Sequence, residues 1–327
     1  MQVNQTYDFG IVVPVGPGQR KWLLQTLRSL DIQTVNVSVA VCAVEDSEEL
    51  KQTLESFSHL ISYARCGPDT GQSAAINEGW AALNAQYYGW LNDDDMLHPD
   101  GLSIVLETFR TSNADVVFGR TDILEDDVLR VGYGHEPLGD SLRRENRIAQ
   151  PSTFVKHSAL EKQTKDPSSS PLNPDKHYAM DWDLWQRLYL TGASFHGVSE
   201  PLSITRWYAG TKTANLNWSK FKEYHQLLKS GKAGPKGIWA LFNIVIHHFA
   251  TYSRISAPFR FLHRILSMNS SSRSSVDIGS VSLDVFHYQT QALRVISSRT
   301  SDTLEQSLKP GEVLKTSETR VSLQKMR

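Results

Sequence analysis

Cysteine is almost absent: the 327 residues hold two, Cys42 and Cys66. They fall in separate apolar runs and show no metal-ligand spacing. They read as reduced core residues in a cytosolic setting, which excludes a disulfide framework and a zinc site. Long apolar runs are missing too, and none is long enough to span a bilayer. The chain opens Met1-Gln-Val-Asn-Gln-Thr, without a basic start or an apolar segment, so no secretory leader is expected. After the first apolar run, Gly16-Pro-Gly18 is followed by Gln, Arg and Lys. That excludes a Gly-x-Gly-x-x-Gly dinucleotide fingerprint, and a P-loop is absent as well. Net charge is also scarce, at −1, but unevenly spread: from Pro235 onward there are 12 Lys/Arg against 6 Asp/Glu, giving +6 and leaving −7 for the body. An acidic body excludes nucleic acid as its partner, while a basic tail leaves room for an anionic membrane surface.

What is present is a soluble, globular composition, 40% hydrophobic and 21% charged, long enough for one large domain with an appendage. Phe9-Gly-Ile-Val-Val-Pro-Val predicts a buried strand, and Lys21–Leu30 a helix with Trp22, Leu23, Leu27 and Leu30 at helical spacing. Val35–Val44 predicts a second strand ending in Glu45 and Asp46, Glu48–Phe57 a helix, and Ile61-Ser-Tyr-Ala-Arg a third strand. Such alternation specifies a parallel sheet with right-handed crossovers. Asp69-Thr-Gly-Gln-Ser-Ala-Ala-Ile-Asn-Glu-Gly then reads as a turn freed by Gly71 and opening a helix of small residues. Its free N–H groups suit an anion or a polar ligand edge.

The central stretch is Tyr88-Gly-Trp-Leu-Asn-Asp-Asp-Asp. An apolar strand ends in three adjacent carboxylates, Asp93, Asp94 and Asp95, where open α/β sheets place their ligands. Mutual repulsion in such a cluster is relieved by a hard divalent cation, and Mg²⁺ takes only one or two carboxylates together with phosphate oxygens. The alternative is that Asp94 or Asp95 caps the helix that Pro99 introduces. Further on, Gln150-Pro-Ser-Thr-Phe predicts a turn opening a strand. Tyr178–Leu190 predicts an amphipathic helix with Trp182, Trp185, Leu188 and Tyr189 on one face, and with Asp181 and Asp183 in its first turn. Those two carboxylates either favour the positive end of the helix or perform chemistry. The histidines at 59, 98, 135, 157, 177 and 196 share no metal spacing.

Taken in order, the Glu45-Asp46, Asp69–Gly79, Trp90–Asp95, Ile148–Lys156, Tyr178–Leu188 and Ile204–Thr213 segments resemble the inverting family 2 glycosyltransferases of the GT-A fold. The resemblance covers residues 7–215. It implies a Rossmann-like, mostly parallel sheet flanked by helices, with a nucleotide-binding half at about 7–120 and an acceptor half at about 121–230. Pro14 and Val15 would border the nucleotide base, Glu45 or Asp46 would hold base or ribose, and Asp69 with the Gly71 turn would contact the base. Asp94 would hold a divalent metal, Mg²⁺ or Mn²⁺, with Asn92 and Asp93 beside ribose and metal-bound water. Asp181 would be the general base. Gln150, Trp182 and Asp183 would lie on the acceptor side. The chain departs from the family where many relatives carry a metal- or diphosphate-binding His, having Tyr208 instead; Arg206 and Lys212 remain for the diphosphate. It also has Gln72 where some relatives carry Arg.

The resemblance implies an inverting transfer of sugar from a nucleotide-diphosphate donor to a hydroxyl on a glycan or lipid-linked acceptor, in polysaccharide or cell-envelope assembly. Two other readings stay open, a sugar-phosphate nucleotidyltransferase and a non-catalytic nucleotide-sugar binding protein. Residues 231–327 are expected to form a helical, basic C-terminal region with a Ser-rich linker. Within it, 237–266 suits either the inner face of a membrane or packing on the otherwise cytoplasmic domain.

Overall fold

The computed structural model describes residues 6–18, 21–125, 128–134, 139–164, 170–208 and 218–233, with 237, 238, 241, 242 and 245. The first half alternates as expected: β1 (Tyr7–Val15), α1 (Leu23–Asp31), β2 (Val37–Ala43), α2 (Glu48–Ser56), β3 (Ile61–Cys66), α3 (Gln72–Ala82) and β4 (Ala85–Trp90). Every residue of β2 is buried, as an unbroken apolar strand covered on both faces must be. Ser47 starts α2 by accepting the Leu50 N–H at 3.2 Å. Gly71 starts α3 at a φ of +123°, a conformation that L side chains rarely adopt. Farther along α3, a Cβ on Gly79 would lie 2.6 Å from Val12 Cγ1, so glycine lets the helix settle on β1.

The second half adds β5 (Met96–Leu97), α4 (Gly101–Ser112), β6 (Val116–Glu125), β7 (Val128–Tyr133), β8 (Thr153–Lys156), α5 (His157–Glu161), α6 (Met180–Leu190), β9 (Phe195–Trp207) and α7 (Trp218–Ser230). Short 3-10 turns at Gly139–Arg143 and Gln150–Ser152 precede β8. The nine strands of the described residues join one sheet in the order β3-β2-β1-β4-β8-β6-β9-β5, with β7 paired to β6. Strands β1 to β4 pair in parallel. Beyond β4 the sheet is mixed: β8 is antiparallel to β4 and β6, while β9 is parallel to β6. Strand order reverses at β1, and open α/β sheets place their ligand crevice at such a point, outside the carboxyl ends of the strands, here those of β1 and β4.

The core is layered. Leu27, Leu50 and Val105 put α1, α2 and α4 on one face of the sheet. Ile76, Leu160 and Trp185 put α3, α5 and α6 on the other. A smaller cluster of Ala179, Trp182, Leu227 and Leu228 fastens α7 to α6.

One polar knot lies inside this frame. His98 and Asp122 are both fully buried, with Nε2 3.3 Å from Oδ2. Asp122 Oδ1 also accepts Arg120 Nε at 3.0 Å and the Gly132 N–H at 3.2 Å. Burial alone would raise the Asp122 pKa, but the His98 hydrogen bond and the Arg120 charge outweigh it and hold it below its ordinary value. Asp122→Asn is therefore expected to cost about 3–5 kcal/mol at neutral pH, because it strands the facing cation. A depressed folded pKa gives stability that is full above the unfolded carboxylate pKa and is lost as pH falls through the folded value. Urea denaturation of both proteins from about pH 7 down to about pH 3 should show the gap closing. A pH-independent gap would mean that charge is not what the knot contributes.

Candidate active site

The carboxyl ends of β1, β2 and β3 lie in register, with Val15 opposite Ala43 and Ala43 opposite Cys66. Pro14 and Val15 therefore end beside the loops that carry Glu45, Asp46 and Asp69. Asp46 is exposed and pairs with Lys51 at 3.0 Å, while Glu45 is half-buried. Asp69 closes its own turn: Oδ1 accepts the Gly71 N–H at 2.8 Å. Its other oxygen meets Arg65 Nη2 at 3.1 Å. Arg65 also binds the Ala43 carbonyl and both oxygens of Glu78, so one guanidinium holds the ends of β2 and β3 against α3.

The aspartate stretch leaves β4 above the crevice. Neither Asp94 nor Asp95 caps α4, because Met96 and Leu97 first form β5, pairing with Ile204 and Ser203 of β9. Asp95 is buried and points inward, accepting the Arg206 N–H at 3.2 Å and Asn92 Nδ2 at 3.2 Å. Thus β9, from the far half of the chain, is fixed to the cluster. Asn92 Oδ1 accepts Gln72 Nε2 at 2.9 Å. Asn92 Nδ2 also reaches Gln150 Oε1 at 3.3 Å, and Gln150 Nε2 donates to the Trp90 carbonyl at 2.7 Å. This amide chain links α3, the aspartate stretch and the turn before β8. Tyr208 donates to Asp94 Oδ2 at 3.0 Å and meets the Trp22 ring in a tilted contact at 4.8 Å; the Arg206 guanidinium, at 4.7 Å, and the Lys21 ammonium, at 5.0 Å, also lie over the Trp22 ring.

Among the described residues, no three His, Cys, Asp or Glu side chains form a metal cage. The chemistry of the site still fits a cation. Asp93 is only 8% exposed, and its Oδ2 is buried without a hydrogen-bond partner. Burial first, and then the charge of Asp94, push the Asp93 carboxyl up to about 8. Burial likewise raises Asp94, partly offset by the Tyr208 hydrogen bond. A buried carboxylate with an orphaned oxygen beside a half-buried one meets the preference of Mg²⁺ or Mn²⁺ for one or two protein oxygens, the remainder coming from phosphate and water.

Asp181 stands in the first turn of α6 and is half-buried. Its Oδ2 accepts Asn146 Nδ2 at 2.9 Å, and its Oδ1 accepts the Trp182 N–H at 2.7 Å. Asn146 is itself held by the Ile148 N–H at 3.3 Å, four residues before Gln150. Trp182 is buried, its indole N–H donating to the Leu142 carbonyl at 2.7 Å. Asp183 is also buried and pairs with Arg187 at 2.8 Å. Both therefore face the packing around α6, whereas Asp181 does not. Lys212 and nearly all of 237–266 lie outside the described residues.

Residues 11–162 match Glycosyl transferase family 2. No curated protein matches the chain. Among solved structures, S. aureus TarS 1-349 in complex with UDP-GlcNAc is similar with a TM-score of 0.54 and 12% identity, over 90% of this chain and 83% of that one. A longer S. aureus TarS chain gives 0.56 and 12%, over 94% of this chain and 56% of that one, so this chain spans little more than half of it. Mannosyltransferase PcManGT from Pyrobaculum calidifontis, in complex with GDP-Man and Mn²⁺, gives 0.52 and 11%, over 94% and 89%. At such identities the structural likeness speaks for the GT-A fold, and the family match supports a family 2 glycosyltransferase. The family 2 segment runs from within β1 through β4, the aspartate stretch and Gln150; α6, β9 and α7 lie beyond it.

Sequence reasoning missed Arg65, Asn146 and Trp22. Arg65 sat inside a strand read only for its apolar residues. Asn146, in a polar run between elements, carried no signal at all. Trp22 was read as one face of a helix, although it lies before the first turn of α1 and is half-buried beside Tyr208.

Proposed function

We propose that this protein is an inverting, divalent-metal-dependent glycosyltransferase. It moves a sugar from a nucleotide-diphosphate donor to a hydroxyl of a glycan or lipid-linked acceptor, in polysaccharide or cell-envelope assembly. The observation that carries the reading is the Asp93–Asp94 pair at the reversal of strand order, with a buried oxygen that lacks a protein partner. The solved relatives with UDP-GlcNAc, and with GDP-Man and Mn²⁺, favour the same class of sugar donor.

Pro14 and Val15 border the base, and Glu45, Asp46, Asp69 and the Gly71 turn bind base and ribose. Asn92, Asp93 and Asp94 face the ribose and diphosphate, with Arg206 and Lys212 adding positive charge. Asp93 and Asp94 would hold the cation, which would supply charge neutralisation for the departing diphosphate. Asp181 accepts the proton of the attacking hydroxyl, held in place by Asn146. Gln150 sits between these two groups along the chain and fixes Asn92.

A panel of nucleotide sugars with Mn²⁺ or Mg²⁺, read by thermal shift and nucleotide release, tests this assignment. At least one sugar donor should raise the melting temperature only with metal and release nucleotide diphosphate. Binding without release would favour a nucleotide-sugar binding protein, and release of pyrophosphate from a nucleoside triphosphate and sugar phosphate a nucleotidyltransferase. We place the protein in the cytoplasm with 237–266 against the inner membrane face; no described helix is long and apolar enough to cross a membrane. Co-sedimentation with anionic vesicles that weakens with salt is expected, and its absence at low salt would remove the membrane contact.

A further inference from the structure

The first turn of α6 is where Asp181 stands, yet Ala179 at its N-cap offers no side-chain acceptor. Helix N-termini leave backbone N–H groups that need partners, and a buried start without them is costly. Here one carboxylate on another helix binds the N–H of the N-cap residue and those of the two residues leading into it. Glu223 of α7 accepts the His177 N–H on Oε1 at 3.1 Å, and on Oε2 the Tyr178 and Ala179 N–H groups at 2.8 and 2.9 Å. Glu223 is only 8% exposed. Its charge-assisted bonds are stronger than neutral ones, and a negative charge at this end of α6 also suits the helix dipole.

The carboxylate is rigidly placed. Leu227 and Leu228 pack with Ala179 and Trp182. Tyr224 meets the Trp182 ring edge-on at 5.7 Å, and Ser230 Oγ donates to Gln186 Oε1 at 3.0 Å. The anchoring therefore runs along both helices, with Glu223 gripping the backbone two residues before Asp181.

We propose that Glu223 is a positioning residue for Asp181: it fixes the backbone leading into α6, and so where the carboxylate meets the acceptor hydroxyl. This rests on the reading of Asp181 as the base. Glu223→Gln puts an amide N–H₂ against backbone N–H donors, so it cannot satisfy all three. The start of α6 must shift, and displacement on the ångström scale at a reacting group costs about 10- to 100-fold in rate.

The test is a double-mutant cycle on the full chain with Glu223→Gln, Asp181→Asn and both together, measuring kcat, and sugar-donor affinity by calorimetry. Glu223→Gln should lower kcat about 10- to 100-fold with donor affinity unchanged, and should add little in the Asp181→Asn background. Glu223→Asp, which keeps the charge but withdraws it by one methylene, should fall between Glu223→Gln and wild type; it replaces Glu223→Gln in the cycle if that protein does not fold. An undiminished kcat in the Glu223 variant overturns the proposal alone. So does an equal fold-loss in the wild-type and Asp181→Asn backgrounds, or a parallel loss of donor affinity. Full transfer by Asp181→Asn would instead remove the base reading, and this proposal with it.

Discussion

Asp94→Ala is expected to abolish sugar transfer and to weaken binding of the nucleotide-diphosphate donor in the presence of Mn²⁺ or Mg²⁺. The chain offers no complete cage among its described residues, so a cation here would depend on Asp93, Asp94 and the diphosphate oxygens together. Removing one of two protein carboxylates from so sparse a set removes much of the affinity. The ligand-free protein should barely notice. Burial already raises the Asp94 pKa, although the Tyr208 hydrogen bond and the Arg206 charge work against it, so losing the group relieves a desolvation cost. Against that stands the lost hydrogen bond from Tyr208, worth about 1 kcal/mol. Calorimetric titration of sugar donor with and without Mn²⁺, beside thermal melting of the free protein, separates the two effects. Chelator should reproduce the variant's behaviour in wild type and do nothing further to Asp94→Ala. Normal transfer by Asp94→Ala would remove Asp94 from the metal site.

Asp181→Asn should lower kcat by about 10²- to 10⁴-fold while sugar-donor affinity stays nearly constant. The amide keeps the size of the side chain and can still accept the Trp182 N–H, so the first turn of α6 persists. What is lost is the capacity to take up a proton. A purely structural aspartate would give the opposite pattern, with melting temperature and donor affinity falling together and no selective loss of kcat. Asp183 is a natural comparison on the same turn. It is buried and already bound to Arg187, so its substitution should act on stability first. Unimpaired transfer by Asp181→Asn would place the base elsewhere.

The sequence by itself determined the first, parallel half of the fold. Strands β1 to β4 and helices α1 to α3 are local objects, each announced by an apolar run or a helical period and bounded by its own turn residues. The burial of β2 from end to end and the Gly71 start of α3 follow from such short-range rules. The aspartate stretch was legible for the same reason: three carboxylates ending a buried strand are an electrostatic anomaly visible without any partner.

Tertiary structure alone decided which of these groups is available for chemistry. Three adjacent aspartates look equivalent on paper, but β5 turns Asp95 inward onto Arg206, leaves Asp93 with an orphaned oxygen and gives Asp94 to Tyr208. Asp181 and Asp183 differ in the same way: only packing against Arg187 and Asn146 tells them apart. The antiparallel insertion of β8 between β4 and β6 had no local signature, since strand order is set by contacts between residues far apart in the chain. Nor did the grip of Glu223 on residues 177–179, more than forty positions away. A carboxylate's role depends on what surrounds it in space, and periodicity along the chain carries no record of that.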